Sequence, residues 1–274
     1  MKVREARVSD ALRIEPGARV RLDRHDPAAT TGADGRAEAD EALRANLEEL
    51  AKLQYLLYAE NQRALLVVLQ AMDAGGKDGV VRHVMSGLNP AGCHVTSFKK
   101  PTTEELEHDF LWRIHHAVPR RGDIGVFNRS HYEDVLVVRV HGLVPESVWK
   151  QRYDQINAFE RSLIDNHVVI RKFFLHISKE EQRERLQARL DDPSKHWKIT
   201  PEDASERRHW DDYTAAFEDA LSKCSTEEAP WFVIPSNRKW YRNWAISQIL
   251  LETLRGLDMQ FPPPTCDVSK IRID

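Results

Sequence analysis

The sequence predicts an α/β fold: a five-stranded parallel sheet that carries a phosphate-binding loop, with helices packed on it and a helical lid. Three observations lead there. The run Ala64–Leu69 is short, apolar and rich in β-branched residues, as expected of a strand buried in a parallel sheet. It stops at a glycine-containing loop, after which Val80, Val81, Val84 and Met85 recur at helical spacing. Four further short apolar runs follow, separated by helical patterns, the alternation that parallel strands and their crossovers require.

The elements can be justified in order. Residues 1–36 are charged and broken by Pro16, Gly17, Pro27, Gly32 and Gly35, which reads as an irregular arm that wraps the domain or is partly mobile. From Ala37 to Gln62, Leu43, Leu47, Leu50, Leu53 and Leu57 recur at three- and four-residue steps, predicting an amphipathic helix with one buried stripe. Core packing is the reading adopted for that stripe; a dimer-forming seam is the alternative. After the loop helix, Asn89-Pro90-Ala91-Gly92 makes a turn and Cys93–Phe98 a second strand, with Lys99 and Lys100 at its carboxyl end, where open α/β sheets bind ligands. Thr102-Thr103-Glu104-Glu105 is a capping box that opens a helix, expected to bury Leu106, Phe110 and Ile114 and to carry Arg113. Ile124–Phe127 is a third strand, followed by Asn128-Arg129-Ser130-His131-Tyr132-Glu133-Asp134.

Pro145 to about Asp165 is helical by pattern, and Phe173–Ile177 is a fourth strand. Ser178 caps a helix bearing Arg183, Arg185 and Arg189; Lys195, His196 and Lys198 follow, and Thr200-Pro201-Glu202 starts another helix with Arg207 and Arg208. So many cations around a helix–turn–helix insert suggest a lid over anions, although Glu180, Glu181 and Glu184 also allow a merely solvated face. Trp231–Ile234 is the fifth strand, leading to a last helix that ends near Leu257; Phe261-Pro-Pro-Pro264 begins an extended tail. The expected organisation is an arm and helix packed on the core (1–62), an α/β domain built around the glycine loop (63–257) with its lid at about 179–209, and a tail (258–274).

Composition narrows the function. With 41% hydrophobic and 30% charged residues the chain is globular, and a net charge of −3 disfavours non-specific nucleic-acid binding while leaving room for a basic cleft. Cys93, Cys224 and Cys266 are scattered and form no C-x-x-C pair, which suits a reducing cytoplasm and argues against a structural zinc. No apolar run approaches membrane-span length, so no membrane partner is expected.

Gly76 and Lys77 fit the pattern G-x4-G-K-[ST], in which loop N–H groups and a helix N-terminus cradle a phosphate and the lysine adds a full charge. Two positions depart: Ala71 replaces the first glycine, and Asp78 replaces the hydroxyl residue that would touch Mg2+. An ordinary turn with a surface lysine is the competing explanation. Asp73 would repel phosphate unless a metal or a proton lay between them. The third strand ends in Asn128 where an acid holding metal is usual, so metal binding must lean on Asp73, or on Glu133 and Asp134. Arg129, at a strand's carboxyl end, can grip phosphate with two parallel hydrogen bonds; a surface salt bridge is its alternative role.

These motifs carry a resemblance. Ala-Met-Asp-Ala-Gly-Gly-Lys-Asp-Gly at 71–79, Ser-Phe-Lys-Lys-Pro-Thr at 97–102, His-Asp-Phe-Leu-Trp-Arg at 108–113 and Phe-Asn-Arg-Ser-His-Tyr-Glu-Asp-Val at 127–135 resemble polyphosphate kinase type 2. The resemblance runs from about residue 40 to residue 257, and Asn128 with His131 and Glu133 is similar to the class III branch. It implies a thymidylate-kinase-like, P-loop, three-layer sandwich. It also implies transfer of a phosphoryl group between inorganic polyphosphate and nucleoside mono- or diphosphates (AMP and ADP to ADP and ATP), reversible in principle, with Mg2+ as cofactor.

By the same resemblance Asp73, Lys77, Asn128, Arg129 and Glu133 are catalytic, with the metal on Asp73. The loop Ala74, Gly75, Gly76, Lys77, Asp78 and Gly79, with Arg113, binds phosphate or nucleotide. Arg82, Lys99, Lys100, Arg185, Arg189, Lys195 and Lys198 are expected to hold polyphosphate. Gly75 stands where alanine is common in that family and is expected to change little but flexibility. A homo-oligomer in the cytoplasm is expected. Two other readings stay open: a conventional ATP-dependent kinase on the same fold, and a non-catalytic binding protein with a degenerate loop.

Overall fold

The computed structural model describes residues 7–273. Its centre is a single sheet in the order β2-β3-β1-β4-β5, with β1 Ala64–Ala71, β2 Cys93–Ser97, β3 Ile124–Asn128, β4 Val168–His176 and β5 Trp231–Pro235. Every pairing is parallel, with Val67 of β1 opposite Val126 on one side and Arg171 on the other. All eight residues of β1 are buried, which is why Ala64–Leu69 is a continuous apolar run rather than an alternating one; the polar Gln70 that follows donates from Nε2 to Ser130 Oγ at 3.1 Å.

The two faces of β1 feed two cores. Leu66 and Val68 pack with Phe127, Tyr132, Ile156, Phe217 and Leu221, beneath the helices Glu146–Asp165 and Trp210–Cys224. Leu65, Val67 and Leu69 pack with Leu50, Leu57, Val80, Ile246 and Leu250, beneath the helices Arg36–Glu60, Lys77–Val84 and Lys239–Arg255. The result is a three-layer sandwich. The carboxyl end of the central strand opens at the level where the chain switches from the β2–β3 side to the β4–β5 side.

Residues 7–35 run along the β5 side: Ile14 N–H donates to Trp231 O at 2.8 Å, and Val20 N–H to Ser222 Oγ at 2.8 Å. Leu12, Ile14, Val20 and Leu22 are buried there, so this part of the arm covers a sheet edge that would otherwise be open.

Two expectations need correction. The capping box at Thr102 and Glu105 is present, but it starts a helix of one turn, Thr103–Leu106; a second short helix spans Trp112–His116. Leu106 is 70% exposed while Ile114 is fully buried, because the break between the two helices rotates them out of a common face. On Arg36–Glu60 the buried line is Ala39, Asn46, Leu50, Gln54 and Leu57; Leu43 and Leu47 instead border the large cleft described below. Among the described residues, no helix is long and apolar enough to cross a membrane.

Candidate active site

The loop after β1 is shaped by backbone as much as by side chains. Ala74 has φ 59° and Gly76 φ 102°, both left-handed, and the helix starts at Lys77. Alternation of such residues turns successive N–H groups toward one point, an anion-binding concavity. A non-glycine residue held left-handed stores of order 1 kcal/mol, strain that tends to collect at functional sites. Gly75 is not a neutral exchange for alanine. A Cβ there would lie 2.8 Å from the carbonyl oxygen of Met72 and would also crowd the Cβ of Ala71, so the expectation of little change is corrected.

Lys77 donates from Nζ to Ala71 O at 3.2 Å across the loop it closes. Burial, then the positive charge of Arg129, lowers its pKa to about 8; Asp73, Glu133 and Asp78 pull the other way.

At the end of β3, Arg129 is held at φ 63°, with its N–H bonded to Leu69 O at 3.1 Å. That turn sends the guanidinium back over the loop, where Nη2 reaches Asp73 Oδ1 at 2.9 Å and Nη1 reaches Glu133 Oε2 at 3.4 Å. Asp73 therefore has a partner that loop reasoning did not supply: an arginine from the end of the neighbouring strand. The two departures from the loop pattern also meet. Asn128 Nδ2 donates to Asp78 Oδ1 at 2.7 Å, so the strand-end amide and the helix-start acid form one unit.

The segment carrying these groups is fixed from below. His131 and Lys172 are fully buried and Glu160 nearly so. Lys172 Nζ donates to Glu160 Oε2 at 2.5 Å, to Tyr132 Oη at 2.9 Å and to Cys224 O at 2.6 Å, while His131 Nε2 lies 3.2 Å from Glu160 Oε1. Burial pushes the His131 pKa down, so the ring is neutral and positions the turn instead of touching a ligand. Asp134 is likewise turned away, 2.9 Å from Arg152, and burial raises its pKa to about 6. It is not available as a metal ligand in the cleft.

Two cavities meet at this point. A large cleft of about 1330 Å3 follows the loop and is lined by Lys77, Arg82, Lys99, Arg129, Arg185, Arg189, Lys195 and Lys198, with Asp73, Asp78 and Asn128 on its floor. Adjoining it is a narrow pocket of about 40 Å3, lined by Glu133, Gln182, Arg207, Trp210, Tyr213 and Phe217. Asp73 and Arg129 form part of the wall of both.

The matches with known proteins follow that geometry. The profile of the family "Polyphosphate kinase 2 (PPK2)" matches residues 34–262. The chain belongs to the polyphosphate kinase 2 family. It is 56% identical to a protein of Meiothermus ruber named AMP/ADP-polyphosphate phosphotransferase, over 96% of this chain and 98% of that one. It is 46% identical to an ADP-polyphosphate phosphotransferase of Rhodopseudomonas palustris, over 93% and 92% of the two chains. The crystal structure of polyphosphate kinase 2 from Arthrobacter aurescens superposes with a TM-score of 0.93 at 46% identity, covering 96% of this chain and 94% of the other.

The residues singled out from sequence fall in different places. Asp73, Lys77, Asp78, Asn128 and Arg129 converge on the cleft, Glu133 on the pocket, and Arg82, Lys99, Arg189, Lys195 and Lys198 line the cleft walls. Arg185 reaches the cleft, but its guanidinium is spent on main-chain oxygens: Ala74 and Gly75 of the loop at 3.0 and 3.2 Å, and Ser236 and Asn237 after β5 at 2.5 and 3.2 Å. It is a loop clamp, not a free cation. Arg113 and Lys100 are not brought in. Arg113 is buried, donates to Lys99 O at 2.8 Å and stacks over Phe98 at 5.5 Å, and Lys100 is exposed outside the cleft lining. Sequence reasoning missed Arg36 and Arg44 on the long helix and Lys239 and Arg242 on the last one, all lining the cleft. They stand in stretches whose pattern speaks only of packing; basic residues near a helix's first turn are the one signal that could have found the last two.

Proposed function

We propose that the enzyme transfers a phosphoryl group between inorganic polyphosphate, lying in the cationic cleft, and a nucleoside mono- or diphosphate entering from the aromatic pocket. The observation that carries this reading is the shared wall of the two cavities. A phosphate chain in the cleft and a nucleotide in the pocket would both reach the Arg129 guanidinium, with Lys77 on the chain's side. Phosphoryl transfer needs in-line positioning and neutralisation of the equatorial oxygens more than covalent help from the protein. Lys77, the loop N–H groups and Arg129 supply that neutralisation. The lid cations Arg189, Lys195 and Lys198 follow the polyanion and help to exclude water, which would otherwise accept the phosphoryl group. At about 40 Å3 the pocket is too small for a nucleoside, so this reading requires the pocket to widen when the acceptor enters.

A kinase of this family calls for a metal, and Mg2+ suits the donor set. Among the described residues no group of three or more His, Cys, Asp or Glu could hold a metal by itself. Mg2+ needs no such cage, because one or two carboxylates complete its shell with phosphate oxygens and water. Asp73 would hold it, with Asp78 lining the same cleft, and it would supply positive charge to offset that of the phosphates.

The acceptor range includes both mono- and diphosphates, in line with the class III-like Asn128, His131 and Glu133. The test is a phosphotransfer assay that crosses polyphosphate or ATP as donor with AMP, ADP, GMP and GDP as acceptors, with Mg2+ and at low salt. Starting from AMP and polyphosphate, chromatography should show ADP first and ATP later. Transfer from ATP but not from polyphosphate would replace this reading with a conventional kinase. Each cation engaged by a polyanion releases counterions, so the Michaelis constant for polyphosphate should rise with salt more steeply than that for the nucleotide. Free Cys93, Cys224 and Cys266 favour a reducing, cytoplasmic location, to be checked by fractionation. Exposed Tyr55 and Tyr58 on the long helix favour a homo-oligomer, to be checked by light scattering.

A further inference from the structure

Arg242 is buried to 2% exposure in the first turns of the last helix, and it makes no ion pair among the described residues. Its Nε and Nη2 donate only to the neighbouring amide oxygen of Asn243, at 3.1 and 2.8 Å. Yet it faces the phosphate loop. A Cβ on Gly76 would overlap Nη1 of Arg242, and one on Gly79 would lie 2.8 Å from Nη2. The loop's glycines therefore do two things: Gly76 takes up a left-handed turn, and both leave room for a guanidinium delivered from a distant part of the chain. The charge that acts on Arg242 from its neighbours is positive. The Arg185 guanidinium lies beside the same spot, within 3.6 Å of the notional Gly76 Cβ, and Lys239 lines the same cleft. Burial and the charge of Arg185 together lower the Arg242 pKa to about 10.

A buried charge without a counter-charge destabilises a fold by several kcal/mol unless something compensates it. Arg185 is compensated by four carbonyl oxygens and Glu181. Arg242 is not, and it opens on the cleft.

We propose that Arg242 is a phosphate-binding residue of the donor site: its guanidinium reaches past Gly76 and Gly79 to the anhydride-linked phosphates lying against the loop. The inference rests on the reading of the cleft as the polyphosphate site. Arg242 lines the cleft and not the aromatic pocket, so its effect belongs to the polyanion and not to the acceptor nucleotide. The anion that binds there supplies the counter-charge that the folded protein lacks.

This gives Arg242 a signature opposite to that of a structural arginine. Arg242→Met keeps the volume and removes an uncompensated charge, so the ligand-free melting temperature should hold or rise. Affinity for inorganic tripolyphosphate and for long-chain polyphosphate, measured by calorimetry without acceptor, should fall about tenfold or more, a fold-change in keeping with a lost charged hydrogen bond. The salt slope of polyphosphate binding should become shallower by about one counterion. AMP affinity should stay within about twofold, because no AMP contact is removed. Arg242→Lys should recover part of the polyphosphate affinity, since it restores the charge without the planar fork. If the folded Arg242→Met protein binds tripolyphosphate within about twofold of wild type, the proposal fails whatever its melting temperature does; it fails equally if AMP binding is lost and polyphosphate binding kept. The wild-type donor screen reports separately on the parent reading. Should ATP be the only donor, the same variants are compared for ATP, and loss there would keep Arg242 at the loop while the polyphosphate assignment falls.

Discussion

Asn128→Asp restores the acid that phosphate-loop enzymes usually carry at the end of the third strand, and in this protein it should do harm. The Asn128 amide now donates to the Asp78 carboxylate at 2.7 Å. An aspartate at 128 removes that donor and sets two carboxylates face to face. The lost hydrogen bond to a charged group is worth roughly 1.5 kcal/mol at this exposure, the low end of its range. Two like charges about 4 Å apart repel by ~1 kcal/mol in water and ~4 kcal/mol at an effective dielectric of 20; Asp78 is exposed, so the smaller figure applies. Together these come to about 2–3 kcal/mol, or roughly 4–12 °C of melting temperature for a chain of this size. Thermal melting of the ligand-free protein at low salt measures it, and added salt should recover the repulsive part. The reciprocal variant Asp78→Asn with Asn128→Asp returns one acid and one amide to the pair, so it should melt close to wild type and regain activity lost by the single variant. A single variant that melts within about 1 °C of wild type at low salt, or a double variant no better than the single, would refute the coupling of these two positions.

Lys77→Ala should reduce turnover by several orders of magnitude with the circular-dichroism spectrum unchanged; near-wild-type turnover would remove the loop assignment. Because Lys77 binds phosphate as an ammonium and its pKa is held near 8, donor affinity should decline as pH rises through about 8 rather than through the 10.5 of an ordinary lysine, and Lys77→Arg should abolish that limb. The linkage sign agrees: the unfolded chain keeps this proton between 8 and 10.5 while the folded one has lost it, so the Lys77 contribution makes ligand-free stability rise with pH across that window. Lys172→Met leaves Glu160 buried without its cation and should cost about 3–5 kcal/mol by denaturant titration, whereas Lys172→Met with Glu160→Gln should cost less; equal costs would mean that the ion pair is not the support of the His131 turn. Gly75→Ala should lower both the melting temperature and donor affinity, since its Cβ crowds Met72 O; an unchanged melting curve would show that the loop relaxes freely.

The sequence by itself determined the parallel sheet, the strand–loop–helix cradle and the cluster at 127–135, because each depends on local signals. A strand buried on both faces is mostly apolar, a tight turn before a helix favours glycine, and motif residues adjacent in sequence stay close in space. What sequence could not supply was the pairing between distant segments. Asp73 with Arg129, Asn128 with Asp78, and Lys172 with Glu160 and Tyr132 join side chains from different strands and helices, so no periodicity marks them. The same limit misplaced several cations. Arg113 and Arg185 look from sequence like free positive charges, yet packing turns their guanidinium groups onto backbone carbonyls. Arg242 looks like one more polar residue on a helix, yet tertiary structure buries it against the loop without a counter-charge. Composition counts a charge, but only the fold decides whether that charge is already satisfied or is left for a ligand.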